Sequence, residues 1–137
     1  MSGLSRFPDW RTRLVAYLSA SVRLPFEDGK HDCALFLAGG VLAMTGQDFA
    51  APYRGRYTTI AGGIRILRKD GYDDHVDLAR AHLAQKSPAF ANEGDGAVVQ
   101  TEDGPSLGIV QGAQVYVLAP SGMVLVPLSL AHTVLEV

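Results

Sequence analysis

The sequence predicts an α+β fold, with N-terminal helices packed on a C-terminal antiparallel sheet. Three observations carry this. Up to about residue 90, apolar residues recur at helical spacing, and from about residue 95 the chain is rich in Val, Gly and turn signals. The turns in the second half are short, which makes neighbouring strands antiparallel. The length, 137 residues of which 47% are apolar, suits one core and not two. We therefore read residues 1–137 as one domain, with a helical half of about 1–90 and a sheet half of about 95–137.

Pro8 and Asp9 open a first helix, Asp9 to Val22, with Trp10, Leu14, Tyr17, Leu18 and Val22 on one face. Pro25 ends it, and Phe26 to His31 reads as a loop. Asp32 can cap a second helix that stops at Gly46. That helix is apolar nearly all round, which predicts a central, buried position. Gly39 and Gly40 within it imply close approach of another backbone. Thr58 or Thr59 caps a third helix ending at Arg68-Lys69, and a fourth runs from Asp74 to Gln85 before Pro88. Strands follow at 97–100, 107–111, 114–118, 123–127 and 133–137, with turns at Asp103-Gly104, Gly112 and Pro120-Ser121-Gly122.

Charge and cysteine usage exclude several functions. Net charge is −2, from 12 Lys+Arg and 14 Asp+Glu, so no global attraction to nucleic acid or an anionic membrane is expected. The longest apolar run, Ala34 to Met44, is well short of the roughly 20 residues of a membrane span. Met1 to Arg13 carries charge and no apolar leader, which predicts synthesis in the cytoplasm. One cysteine permits neither an internal disulfide nor a zinc site built on thiolates. His31, Cys33, His75 and His82 lack a standard zinc spacing, and Gly62-Gly63 lacks the Lys-Ser/Thr of a phosphate loop. No metal and no cofactor are expected.

Cys33 follows the Asp32 cap, in the first turn of the most buried helix. Free helix N–H groups there favour a thiolate, the usual placement of a cysteine nucleophile. A small, inert core residue fits the same position. A nucleophile also needs a base held by a third polar group. His31 is two residues away but poorly oriented, His75 and His82 read as solvated, and His132 follows the last turn region.

The stretch Pro25-Phe26-Glu27-Asp28-Gly29-Lys30-His31-Asp32-Cys33-Ala34-Leu35-Phe36 resembles the nucleophile segment of NlpC-type, papain-like cell-wall peptidases. Gly94-Asp95-Gly96-Ala97-Val98-Val99 resembles their Gly-Asp turn into the first strand. Ser106-Leu107-Gly108-Ile109-Val110-Gln111-Gly112 resembles their His-Val-Gly-Ile-Tyr-x-Gly strand, and Val115 to Pro120 the strand after it. More closely, Asp32 to Tyr57 is similar to a family of small uncharacterised proteins from prophages and phage tail-gene clusters. The shared features are Asp-Cys-Ala-Leu-Phe, Val41-Leu42-Ala43-Met44-Thr45-Gly46 and Tyr53-Arg54-Gly55-Arg56-Tyr57.

The resemblance implies a papain-like NlpC-type fold, with Cys33 as its nucleophile position. It puts the catalytic histidine at Ser106 and the orienting residue at Leu118. Serine is no base near neutral pH, and leucine accepts no hydrogen bond. The resemblance thus supports the fold and argues against the reaction. Its implied function is a degenerate peptidase serving as a phage-tail structural protein in the virion, bound to tail-tip or hub subunits and in possible contact with peptidoglycan. The alternative is an active cysteine hydrolase or amidase acting on peptidoglycan peptides, with Cys33 as nucleophile and His31 or His132 as base.

Arg54, Arg56, Arg65, Arg68 and Lys69 form a local basic cluster, either a solvated face or an anion contact. Tyr53, Arg54, Arg56 and Tyr57 are the candidate partner-binding residues, since Tyr and Arg are favoured interface anchors. The strands carry more apolar side chains than one face of a small sheet requires, so an edge strand is a natural assembly contact.

Overall fold

The computed structural model describes residues 4–102 and 104–137. Four helices come first: α1 (Trp10–Arg23), α2 (Leu35–Thr45), α3 (Ile60–Lys69) and α4 (His75–His82). Six strands follow: β1 (Gln85–Lys86), β2 (Gly96–Thr101), β3 (Gly104–Gln111), β4 (Gln114–Ala119), β5 (Gly122–Pro127) and β6 (Ala131–Leu135). All pairings are antiparallel, in the order β1-β6-β2-β3-β4-β5. The predicted α+β class is what the chain adopts. Of the predicted Asp103-Gly104 turn, Asp103 lies outside the described residues.

Three details differ from expectation. The fourth helix stops at His82 instead of Gln85 because Leu83 turns extended to bury itself in the core. Gln85 and Lys86 are thereby freed to pair with Leu135 and Val134. Short turns between successive strands would make the sheet a simple meander, and β2 to β5 do follow in order, but β6 returns to lie beside β2. In α1, Val22 is exposed and Ser21 is buried in its place.

α2 sits at the centre, with nine of its residues buried. Gly46 ends it in the left-handed conformation that only glycine adopts freely, and its N–H donates to the Leu42 carbonyl. The Gly39-Gly40 pair makes room for side chains, not for a second backbone. A Cβ on Gly39 would lie 2.2 Å from the Tyr17 hydroxyl, and one on Gly40 would lie 2.6 Å from Ile109 Cδ1. The Tyr17 hydroxyl donates to the Phe36 carbonyl at 2.7 Å, tying α1 to α2. The main core draws on both halves: Leu14, Phe36, Leu37, Met44 and Leu83 meet Val98, Leu107, Ile109, Leu118 and Leu135. The far face of the sheet is covered more thinly, by Ala97, Val99, Val110, Val115, Val117 and Ala131 among themselves.

Candidate functional site

Asp32 organises the site. Regular helix begins at Leu35, but the Asp32 carbonyl already accepts from Phe36 N–H at 3.0 Å. Its carboxylate accepts from Ala34 N–H (3.0 Å) and Leu35 N–H (2.8 Å) through Oδ1. Through Oδ2 it accepts from Gly29 N–H (2.9 Å) and the Tyr57 hydroxyl (2.6 Å). Four neutral donors thus hold a carboxylate that is buried. The cap role expected of Asp32 is geometrically complete. Gly29 is required here, because a Cβ would collide with the Tyr57 carbonyl at 2.0 Å.

Cys33 is half-buried in the first turn. Helix N–H groups should favour its thiolate, yet its pKa is pushed up to about 11. Burial is the main cause and the Asp32 charge the second. The Tyr57 hydroxyl is raised as well, by burial and by its bond to Asp32. At neutral pH the thiol therefore keeps its proton.

Ser106 stands beside the thiol, where the resemblance puts the histidine. Its hydroxyl is buried and makes no well-formed hydrogen bond among the described residues; its loose approach to the thiol is the weakest of the influences on Cys33 and acts to lower its pKa. Leu118, at the orienting position, is fully buried in the main core and pairs with Met123. Neither alternative base reaches the thiol. His31 Nε2 donates to the Ser21 carbonyl at 3.1 Å and faces a different depression, beside Tyr17 and Leu24. His132 is exposed on β6. His82 stacks on Phe49 and bonds to the Leu78 carbonyl, so the four residues considered for zinc do not converge.

Three of the four candidate partner residues are turned inward. The Tyr53 hydroxyl donates to Asp70 at 2.6 Å, Arg54 grips Asp48 through Nε at 2.6 Å, and Tyr57 serves Asp32. Arg56 alone of the set is an exposed side chain, and it donates to the Pro52 carbonyl. The sequence pattern reads as surface because Tyr and Arg suit both interfaces and buried networks. Arg65, Arg68 and Lys69 line a shallow hollow along α3.

A cavity of about 190 Å³ opens beside Cys33. Leu35, Tyr57, Ile60, Ile64, Leu67 and Leu78 make its walls mostly apolar, and Asp28, Asp32 and Asp74 also line it. His75 also lines it, with Nε2–H donating to the Pro105 carbonyl at 2.9 Å. Sequence reasoning places His75 on a solvated face. The signal for its true place is Asp74, whose carboxylate caps α4 by accepting from Asp77 N–H and so starts the helix at His75.

Similarity to known proteins agrees with this architecture. The crystal structure of the NlpC/p60 domain of peptidoglycan hydrolase SagA superposes with a TM-score of 0.57. The match covers 92% of this chain and 97% of that one, at 16% identity, and so establishes the fold alone. No functionally curated protein matches in sequence. Residues 5–137 match the family described as a domain of unknown function, DUF6950, and the chain belongs to that family.

Proposed function

We propose that this protein is a non-catalytic domain of NlpC/p60 fold that serves as a structural component of a phage or phage-derived tail, binding neighbouring tail-tip or hub subunits. The observation that carries the loss of catalysis is the surroundings of Cys33. A papain-like thiol is activated by an imidazole, which favours the thiolate. Here a carboxylate and a serine hydroxyl occupy that neighbourhood, and the thiol is held protonated. The cavity beside it is walled by aliphatic side chains, which suit an apolar group better than a charged cell-wall peptide. What supports the tail reading is the resemblance of Asp32 to Tyr57 to phage tail-cluster proteins; on that reading the protein belongs to the virion after synthesis in the bacterial cytoplasm.

Purified peptidoglycan incubated with wild type and Cys33→Ala tests the first part. Neither protein should release peptides, and turnover abolished by Cys33→Ala would overturn the reading. Mass spectrometry of purified tails tests the second, since absence of the chain from assembled particles removes the structural role.

One contact favours a second reading, a cysteine hydrolase that draws its base from α4. His75 lines the Cys33 cavity and is held there by Nε2–H donated to the Pro105 carbonyl, so Nδ1 is the nitrogen that a neutral ring has left to accept with. Turnover lost equally in Cys33→Ala and His75→Ala would establish it.

A further inference from the structure

The charged side chains are distributed unevenly. From Gly104 to Leu135 the sequence contains no Asp, Glu, Lys or Arg. That stretch builds β3, β4, β5 and β6, four of the six strands. Glu136 is the one charged residue beyond it.

The two edges of the sheet differ accordingly. At one edge β1 is two residues long, its Lys86 is bonded to Asp95, and Pro88 follows at once. Shortness, charge and proline are the usual protections of an edge. At the other, β5 is six residues long, uncharged and in unbroken register with β4. Val124 is 40% exposed and Leu125 47%. An edge of this kind is a template for another strand.

The main-chain pattern fixes what such a strand must be. Leu128 N–H donates to the Ala113 carbonyl at 2.8 Å. In an antiparallel ladder the direction alternates, so Gly122, Val124 and Val126 also face β4, and Met123, Leu125 and Pro127 face outward. The two-residue turn closing the Ala119–Gly122 pair agrees with this phase. Outward donors are therefore the N–H groups of Met123 and Leu125, because Pro127 has none.

We propose that β5 pairs with β5 of a second copy of this chain, antiparallel about a dyad at Val124, joining two sheets into one. In that register Met123 of each copy exchanges both bonds with Leu125 of the other, so every outward donor is used and Pro127 is asked for none. A dyad at Leu125 would make the same four bonds, but with Met123 opposite Pro127 it would leave the Met123 carbonyl unpaired inside the ladder, whereas the dyad at Val124 leaves only the Pro127 carbonyl at the strand end. The uncharged edge gives a charged partner nothing to pair with, and gives a second copy nothing to repel. A twofold interface of this kind is self-complementary and closed. The pairing does not depend on the tail assignment.

Sedimentation equilibrium of the full chain tests it. Wild type should be dimeric. Val124→Lys and Val124→Glu should each weaken the dimer by about tenfold or more, since like charges then face each other at the dyad. Mixing the two variants should restore it, which a misfolded variant could not do. Phe90→Lys, on the exposed surface near the other edge, should leave it intact. A monomeric wild type at its highest soluble concentration overturns the proposal. So does a dimer that both Val124 variants leave untouched, or mixing without recovery.

Discussion

Asp32 and Asp95 are both buried carboxylates, each satisfied by four donors, yet they are kept in opposite ways. Asp95 accepts from Asn92 N–H and Val137 N–H, and is paired with Lys86 at 2.7 Å and Arg6 at 3.3 Å. Its charge is compensated, and it ties the start of β2 to both ends of the described chain. Asp32 accepts from three backbone N–H groups and one phenol, with no ion pair to it among the described residues. Its field is left over, and it falls on Cys33 and Tyr57. A compensated carboxylate builds structure, whereas an uncompensated one sets the chemistry of its neighbours. At Cys33 it sets that chemistry against a nucleophile.

Removing the compensated charge should have the largest effect. Asp95→Ala leaves Arg6, partly buried, with only the Glu93 and Val137 carbonyls and Lys86 with only Glu136 at 3.7 Å, and should cost about 3–5 kcal/mol in urea unfolding. A loss within experimental error would mean that the two cations hold nothing together. Tyr57→Phe removes one of the four donors to Asp32 and should cost about 1.5–3 kcal/mol. It should also fail to lower the Cys33 titration midpoint, since the carboxylate stays. If the midpoint drops towards 9, the Tyr57 hydroxyl and not Asp32 is raising the thiol.

The smallest effects concern pH. The Cys33 thiol titrates at about 11 in the folded chain against an ordinary 9.0, so the folded state binds its proton more tightly. That contribution to stability is fully present below about pH 9 and is lost as pH rises through 11. Cys33→Ala should flatten this part of the alkaline profile; an unchanged slope would refute the shifted thiol. Tyr17 and Tyr53, both raised to about 12, add a further loss at higher pH. Asp32→Asn should bring the thiol midpoint down, read by absorbance of the thiolate, and speed its alkylation at about pH 8. Slower alkylation would show that the carboxylate was assisting the thiol.

Much of the scaffold is legible in the sequence. Asp32, Thr59 and Asp74 announce their helices because a cap is a contact between residues two or three apart. The strand signal of segments such as 97–100 and 114–118 is local too, and all five predicted strands lie within observed ones or overlap them. β1 escapes a sequence reading, since two residues carry no period of their own and Gln85-Lys86 becomes a strand only because β6 returns beside it. The site divides in the same way. Cys33 and its cap can be read, as can the serine at position 106, where the resemblance puts the histidine. The cavity cannot, because Leu35, Ile64 and Leu78 meet there from three different helices.

Local signals in the sequence place the four helices, five of the six strands, the buried α2 and the serine at the position where the resemblance puts a base. Those depend on period, capping and residue identity, which act over a few positions. The tertiary structure alone decided that His31 bonds to Ser21 and not to the thiol, that His75 enters the Cys33 cavity, and that Tyr53, Arg54 and Tyr57 turn inward. It also decided which carboxylate would be compensated. Electrostatic and hydrogen-bonding partners are set by distances between residues far apart in the chain, and a single sequence does not carry those distances.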